Sequence, residues 1–475
     1  MTRSTYWKTA CAMLLLLATT TSPGQVFTTL VNFDITNGAN PESSLVQGVD
    51  GNLYGTTTMG GTNNWGTVFT ITEGGALTTL YSFCNGLFCT DSMRPTAGLV
   101  LALDGFFYGT TEYGGSSSVG TVFRISPGAA FTNLNSFTFG RYPMAALVQN
   151  RNGNFFGTTF GSEGEGSTVF RMTADGALVP LYTFCENLTC VDGISPWAGV
   201  IEGIDGDFYG TTTLGGNLTC GGGAGCGTVF KATAEGTLTT LHSFSAHDGS
   251  NPYGTLVQAT DGNFYGTTRF GGANNGGTIF RITSAGALTT LYSFCAQGGC
   301  ADGSNPWAGL IQATDGNLYG TTNTGGNLAC GGGLGCGTLF KITRNGTLTV
   351  LHNFDTAHGD SSYGCLLQAT DGKIYGTTAF GGTDNQGTVF RLSTGLAPFV
   401  TFVRAAGKVG ETGPVLGQGF TGTTSVAING IQANFTVISD TDIRATVPPG
   451  ATTGYVTVTT PSGTLSSNVP FHVIP

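Results

Sequence analysis

The chain has 475 residues, of which 9% are charged and 40% hydrophobic, with 79 glycines and a formal net charge of -10 at pH 7. Scarce charge beside an ordinary apolar fraction excludes a disordered polyampholyte, and the acidic balance leaves no basic surface for phosphates, which excludes nucleic acid as a partner. Solubility must come from Thr, Ser, Asn and backbone groups, as it does when many short strands are joined by Gly-rich turns, so an all-β chain is expected.

In chain order, Arg3 and Lys8 precede an apolar run from Ala10 to Ala18 and a break at Pro23 and Gly24. This pattern assigns residues 1–24 to a signal peptide. Cys11 lies at the start of the run and not after it, which argues against an acylated lipoprotein cysteine. No later stretch approaches the roughly 20 apolar residues that span a bilayer, so no transmembrane segment is expected in the mature chain.

Beyond residue 25 four phrases recur. One ends at Phe33, Phe83, Phe137, Phe184, Phe244, Phe294 and Phe354, and an apolar segment such as 256–259 or 310–313 follows it. Next comes Tyr-Gly-Thr-Thr, beginning at Tyr54, Tyr108, Phe156, Tyr209, Tyr265, Tyr319 and Tyr375; then Gly-Thr-Val-Phe or a variant, beginning at Gly66, Gly120, Ser167, Gly227, Gly277, Gly337 and Gly387. The period is about 54 residues. Each segment is rich in β-branched and aromatic residues, so each unit reads as a four-stranded blade. A blade alone cannot bury both faces of its sheet; stacked in a closed ring it can, and seven units predict a seven-bladed β-propeller over residues 25–396.

Asp50-Gly51, Asp104-Gly105, Asn152-Gly153, Asp205-Gly206, Asp261-Gly262, Asp315-Gly316 and Asp371-Gly372 supply hairpin turns. Turn chemistry alone accounts for these aspartates, against a calcium loop or a catalytic acid. Which strand lies innermost is left open. The chain enters with a strand at 27–33 and leaves the repeats after 387–392 with no fourth strand, so the first strand is expected to pair into the last blade and close the ring. Pro41, Pro95, Pro143, Pro196, Pro252 and Pro306 mark the connections into the next unit, on one face of the ring.

Ten cysteines fall into local pairs, Cys84 with Cys89, Cys185 with Cys190, Cys220 with Cys226, Cys295 with Cys300 and Cys330 with Cys336, a spacing that predicts disulfides. Zinc sites favour two-residue spacers, and these are longer. Cys365 reads as a buried thiol. No metal or cofactor is implied.

The phrases, as at 310–322 followed by 337–343, resemble the GloVer-type (Gloeo/Verruco) tandem-repeat family of bacterial exported proteins across about 26–395. The resemblance implies a secreted or surface location and brings no catalytic residues. After Leu396 the composition shifts. Gly417-Gln418-Gly419-Phe420, Val426 to Gly430, Ser439 to Ile443 and the strands after Val447 make residues 397–475 resemble an IPT/TIG domain, an immunoglobulin-like β-sandwich. Residues 404–408 depart from it, where such domains carry a Pro and a Gly-rich turn. The resemblance implies an interaction or spacer module; the acidic charge and export signal argue against the use such domains have in transcription factors.

Three functions are weighed. A secreted or cell-surface binding protein would present loops of one face to an extracellular ligand, a polysaccharide or other surface polymer or a protein, with Trp65, Trp197, Tyr253 and Trp307 as the binding aromatics. Trp197, Tyr253 and Trp307 share one position after the loop proline and are expected to form an arc; packing between loops is the competing explanation. A propeller-based polysaccharide hydrolase or lyase would draw on His247, His358, Glu163, Glu165, Glu186, Glu202 or Asp207, which depart from the repeat, yet no catalytic constellation forms among them. A structural envelope or matrix component fits the regularity of the repeats.

Overall fold

A computed structural model of the chain describes residues 25–474 apart from 86–88, 90, 162–165 and 187–188. The export segment expected at 1–24 and the loop carboxylates Glu163 and Glu165 lie outside the described residues. The described residues are all-β, with helix confined to short 3-10 turns such as Gly221–Gly223, and among them no helix is long and apolar enough to cross a membrane.

Among the described residues of the repeats, seven four-stranded antiparallel sheets follow one another. The first takes Val46–Gln47, Leu53–Thr57, Thr67–Ile71 and Leu77–Ser82 in that spatial order. The order repeats in sheets spanning 100–136, 148–183, 201–243, 257–293 and 311–353. The seventh holds Leu367–Gln368, Ile374–Thr378 and Thr388–Ser393, and its fourth strand is Val26–Asn32 from the other end of the repeats. That strand runs antiparallel to Thr388–Ser393, with Val26 opposite Ser393 and Asn32 opposite Thr388, and a bulge between Thr29 and Val31.

The repeated phrases explain the stacking. Strands of the Tyr-Gly-Thr-Thr type are buried throughout their length, which only cover on both faces permits. Tyr54 and Phe83 of the first sheet share a core with Phe107 and Phe123 of the second, and Tyr375 and Val389 of the seventh share one with Leu53 and Phe69 of the first. The succession therefore closes on itself, and the apolar area buried between neighbours drives it.

Two hydroxyls refine the fit. The first Thr of the phrase reaches a backbone carbonyl of the next sheet's axial loop: Thr56 Oγ1 donates to Ala97 O (2.9 Å), Thr267 to Ala308 O (2.8 Å) and Thr377, in the seventh sheet, to Ser43 O in the first (2.9 Å). The second Thr pairs with a Thr on the adjacent strand, as Thr268 does with Thr278 at 2.8 Å. The turn aspartates have a second partner that turn chemistry did not reveal. Tyr54, Tyr265 and Tyr319 donate their phenol hydroxyls to Asp50, Asp261 and Asp315 at 2.8, 2.8 and 2.9 Å. In the third sheet Phe156 stands for Tyr, and Asn152 stands for Asp.

Five disulfides join Cys84 to Cys89, Cys185 to Cys190, Cys220 to Cys226, Cys295 to Cys300 and Cys330 to Cys336. Cys365 is unpaired, and burial pushes its thiol above the usual range.

Beyond the repeats, Thr401–Phe402, Thr412–Leu416, Asp442–Thr446 and Phe435–Val437 form one sheet, and Ile431–Gln432, Ser425–Ile428, Val456–Thr460 and Gly463–Ser466 a second. Phe420, Val426, Ile443, Val456 and Val458 fill the space between them. Within the segment that departs from the family pattern, Ala406–Lys408 pairs in parallel with His472–Ile474.

These C-terminal sheets straddle the face of the ring that carries the Asp-Gly turns. Phe399 N donates to Thr370 O in the seventh sheet (3.0 Å), Thr441 Oγ1 to Val49 O in the first (2.8 Å) and Arg404 Nη1 to Arg151 O in the third (2.8 Å). Leu416 and Val403 pack into the core that holds Leu99 and Leu101 of the second sheet.

Candidate functional site

The opposite face is shaped by the connections into the inner, two-residue strands. Each passes through a residue held in left-handed backbone: Asn40, Arg94, Tyr142, Ser195, Asn251, Asn305 and Ser361, all with φ between 53° and 58°. For a residue with a Cβ this conformation costs about 1–2 kcal/mol, and it persists because hydrogen bonds over-determine it. Asn251, for example, donates its N–H to Cys226 O (2.9 Å) while its carbonyl accepts from Arg269 N (3.1 Å). The kink sets up a proline in six of the seven loops, with Ser362 in the last, and the residue two places past the kink lines a cavity on the ring axis.

That cavity has a volume of about 310 Å³. Its rim is Glu42, Thr96, Met144, Trp197, Tyr253, Trp307 and Tyr363, one residue from each sheet, and small residues such as Ser44, Gly98, Ala146, Thr255 and Gly309 form its throat beside Cys365. The aromatics occupy four consecutive sheets. Ring centroids lie 5.3 Å apart for Trp197 and Tyr253, 4.3 Å for Tyr253 and Trp307, and 5.1 Å for Trp307 and Tyr363. The Arg269 guanidinium lies 4.3 Å from the centre of the Trp307 ring and 5.5 Å from that of Tyr253, a cation–π brace that stiffens the arc.

The remaining rim is polar. Among the described residues Glu42 is the one carboxylate of the lining, and its carboxyl makes no hydrogen bond there. Burial pushes its pKa up to about 7; the Arg94 guanidinium opposes the rise and the Glu112 carboxylate adds to it. Arg94 and Glu112 face each other at 3.4 Å. Thr96 Oγ1 is buried and finds no hydrogen-bond partner among the described residues. Burial, and then the charge of Glu42, raise the Tyr363 phenol.

The structure thus brings Trp197, Tyr253 and Trp307 together and leaves Trp65 apart, exposed on a loop outside the cavity, where its carbonyl accepts from Arg94 N at 2.9 Å. The other candidates scatter. Glu202 binds Arg151 (2.7 Å) and Asp207 binds Lys231 (2.6 Å), both on the turn face. Glu186 and His247 are exposed, and His358 faces Asp355 at 2.8 Å. None of them lines the axial cavity, and no three His, Cys, Asp or Glu among the described residues group as metal ligands. Glu42, Thr96, Met144 and Tyr363 are the rim residues that sequence reasoning missed; alignment of the seven post-kink positions would have found all four.

Stacked four-stranded antiparallel sheets around an axial cavity define a propeller-like all-β repeat protein. Solved structures agree in fold. A novel fungal alcohol oxidase of the AA5 family, in complex with copper, aligns with a TM-score of 0.50 at 13% identity over 95% of this chain and 99% of its own. Hydrazine synthase of Kuenenia stuttgartiensis aligns with a TM-score of 0.50 at 15% identity over 76% of this chain and 96% of its own. The chain belongs to the Gloeobacter/Verrucomicrobia repeat family, whose profile matches residues 17–222 and 218–437. No curated protein matches it.

Proposed function

We propose that this chain is a secreted or cell-surface binding protein that holds a carbohydrate or other surface polymer in its axial cavity. In this reading residues 25–396 are a seven-bladed β-propeller and 397–475 an immunoglobulin-like, IPT/TIG-type domain. The observation that carries it is the run of four aromatic rings on adjacent sheets around one cavity. An aromatic rim beside a few convergent polar groups suits a ligand with an apolar ring face and a hydroxyl edge. Local disulfides fit an oxidising compartment outside the cytosol.

The hydrolase alternative needs two carboxyl groups flanking one bond, and among the described residues the cavity lining offers Glu42 alone. A purely structural component would have no use for a rim that breaks the repeat at its axis. The test is binding of the full chain to malto-, cello-, xylo- and chito-oligosaccharides and their parent polymers by calorimetry. We expect at least one to bind, with Trp307→Ala weakening it roughly tenfold or more, as loss of about 1.4 kcal/mol implies, and Trp65→Ala leaving it unchanged. A panel without binding, or equal binding by Trp307→Ala, overturns the reading.

A further inference from the structure

We propose that the axial cavity receives the end of a glycan chain and not an internal stretch. This rests on the carbohydrate reading above and adds how the ligand enters.

The first argument is the wall. Every sheet contributes to the lining, and neighbouring loops meet backbone to backbone at the throat. A methyl group added at Gly309 would lie 2.2 Å from Thr255 O in the preceding sheet, and one at Gly364 2.5 Å from the Ser43 carbonyl carbon across the closure between seventh and first sheets. The inter-sheet hydroxyl bonds of Thr56, Thr267 and Thr377 lie in the same layer. Among the described residues the cavity is therefore a well with no lateral slot, and a polymer threading it must leave through the far opening.

The second argument is that the C-terminal sheets stand across the far opening. The space at the other end of the inner strands is lined by Gln47, Gln258, Gln312 and Gln368 from the ring, and by Phe402, Val403, Leu416 and Val469 from the C-terminal sheets. Hydrogen bonds to three different turns of the ring hold those sheets across the axis.

The third argument is the polarity of the rim. An internal sugar unit is substituted at both ends, whereas a terminal unit carries a free hydroxyl on the edge it leads with. On the rim across from Trp307 and Tyr253 stand the Glu42 carboxyl and the Thr96 hydroxyl, both without hydrogen-bond partners among the described residues. A carboxyl and a hydroxyl in this position suit the leading edge of a ring that packs against the aromatic side of the rim.

The experiment is a stoichiometry series with the full chain. Whichever oligosaccharide series binds is extended from short oligomers to the parent polymer, and the number of protein molecules bound per glycan chain is read by calorimetry and sedimentation; a malto hit is also compared with cyclodextrin, which has no ends. We expect one protein per chain at every length, no binding to the ring, and roughly a ten- to hundredfold loss of affinity in Glu42→Ala, the range for a hydrogen bond to a charged group. Stoichiometry that rises with chain length, or cyclodextrin bound as well as its linear counterpart, overturns end recognition while leaving carbohydrate binding intact. No glycan bound at all, or a peptide bound in its place, overturns both.

Discussion

Replacing Glu42 by Gln keeps the size of the side chain and removes its ionisation, and the effect on stability should depend steeply on pH. Burial raises the Glu42 carboxyl from an ordinary 4.5 to about 7. A carboxyl that holds its proton more tightly in the folded state than in the unfolded one penalises folding when ionised. The penalty is absent below the unfolded value, grows between 4.5 and about 7, and is fully present above that. At 1.36 kcal/mol per pKa unit the rise corresponds to at most about 3 kcal/mol, and residual solvent at the rim brings the expected value to about 1–3 kcal/mol. Urea denaturation of wild type and Glu42→Gln should give equal stability near about pH 4 and a more stable variant near about pH 8. The Arg94–Glu112 pair is present in both proteins, so its own titration cancels to first order in the difference. An advantage of equal size at both pH values, or a variant less stable at the higher one, would refute the reasoning by showing that Glu42 is solvated or paired. If the predicted pattern holds, the rim keeps a carboxylate that the fold alone would be better without, the mark of a group retained for a ligand.

Tyr265→Phe removes the hydroxyl that donates to Asp261 (2.8 Å) and should cost about 1–2 kcal/mol at neutral pH. Burial works against ionisation of Asp261, but the hydrogen bonds from Tyr265 and the Asn263 N–H hold its carboxyl below 3.8. That contribution is present above the unfolded value and lost as pH falls through the folded one, so the deficit of the variant shrinks in acid. Adding Asp261→Asn recreates the Phe156 and Asn152 combination and should recover most of the loss in urea midpoints. Gly277→Ala and Gly262→Ala both place a side chain at positive φ, but the first sets Cβ 2.4 Å from Thr268 O and 2.6 Å from Pro306 Cδ, whereas the second meets nothing within 4 Å. Thermal unfolding should report about 1 kcal/mol for Gly262→Ala and clearly more for Gly277→Ala; equal shifts would discredit the close approach.

The repeats were legible because local chemistry repeats with them: Asp-Gly accepts positive φ in any context, and four β-rich segments per unit need no tertiary information. The order of strands across each sheet was not legible. The Tyr-Gly-Thr-Thr and Gly-Thr-Val-Phe strands are buried on both faces, so hydrophobicity marks them as central without saying which flank meets the axis. The arc of Trp197, Tyr253 and Trp307 was readable from the shared loop proline, whereas Tyr363 follows a serine and Glu42 looks like any solvated loop carboxylate until the ring places it indoors. The seat of the C-terminal sheets was hidden for a different reason. Its hydrogen bonds to the ring include backbone carbonyls at Val49, Arg151 and Thr370, groups every residue carries, so the reading as an interaction or spacer module gave no hint of where it sits.

The pairing of Val26–Asn32 with Thr388–Ser393 also orders events in time. The first strand of the repeats to be made is the last to find its partner, since its mate lies at their far end. During synthesis the growing molecule is an incomplete spiral whose leading strand and trailing sheet both present unmated edges, the templates on which β-proteins associate wrongly. Native pairing must wait for a long-range encounter that is slow on topological grounds. A copy cut short before Thr388 lacks the mate of its first strand and has no route to the closed state.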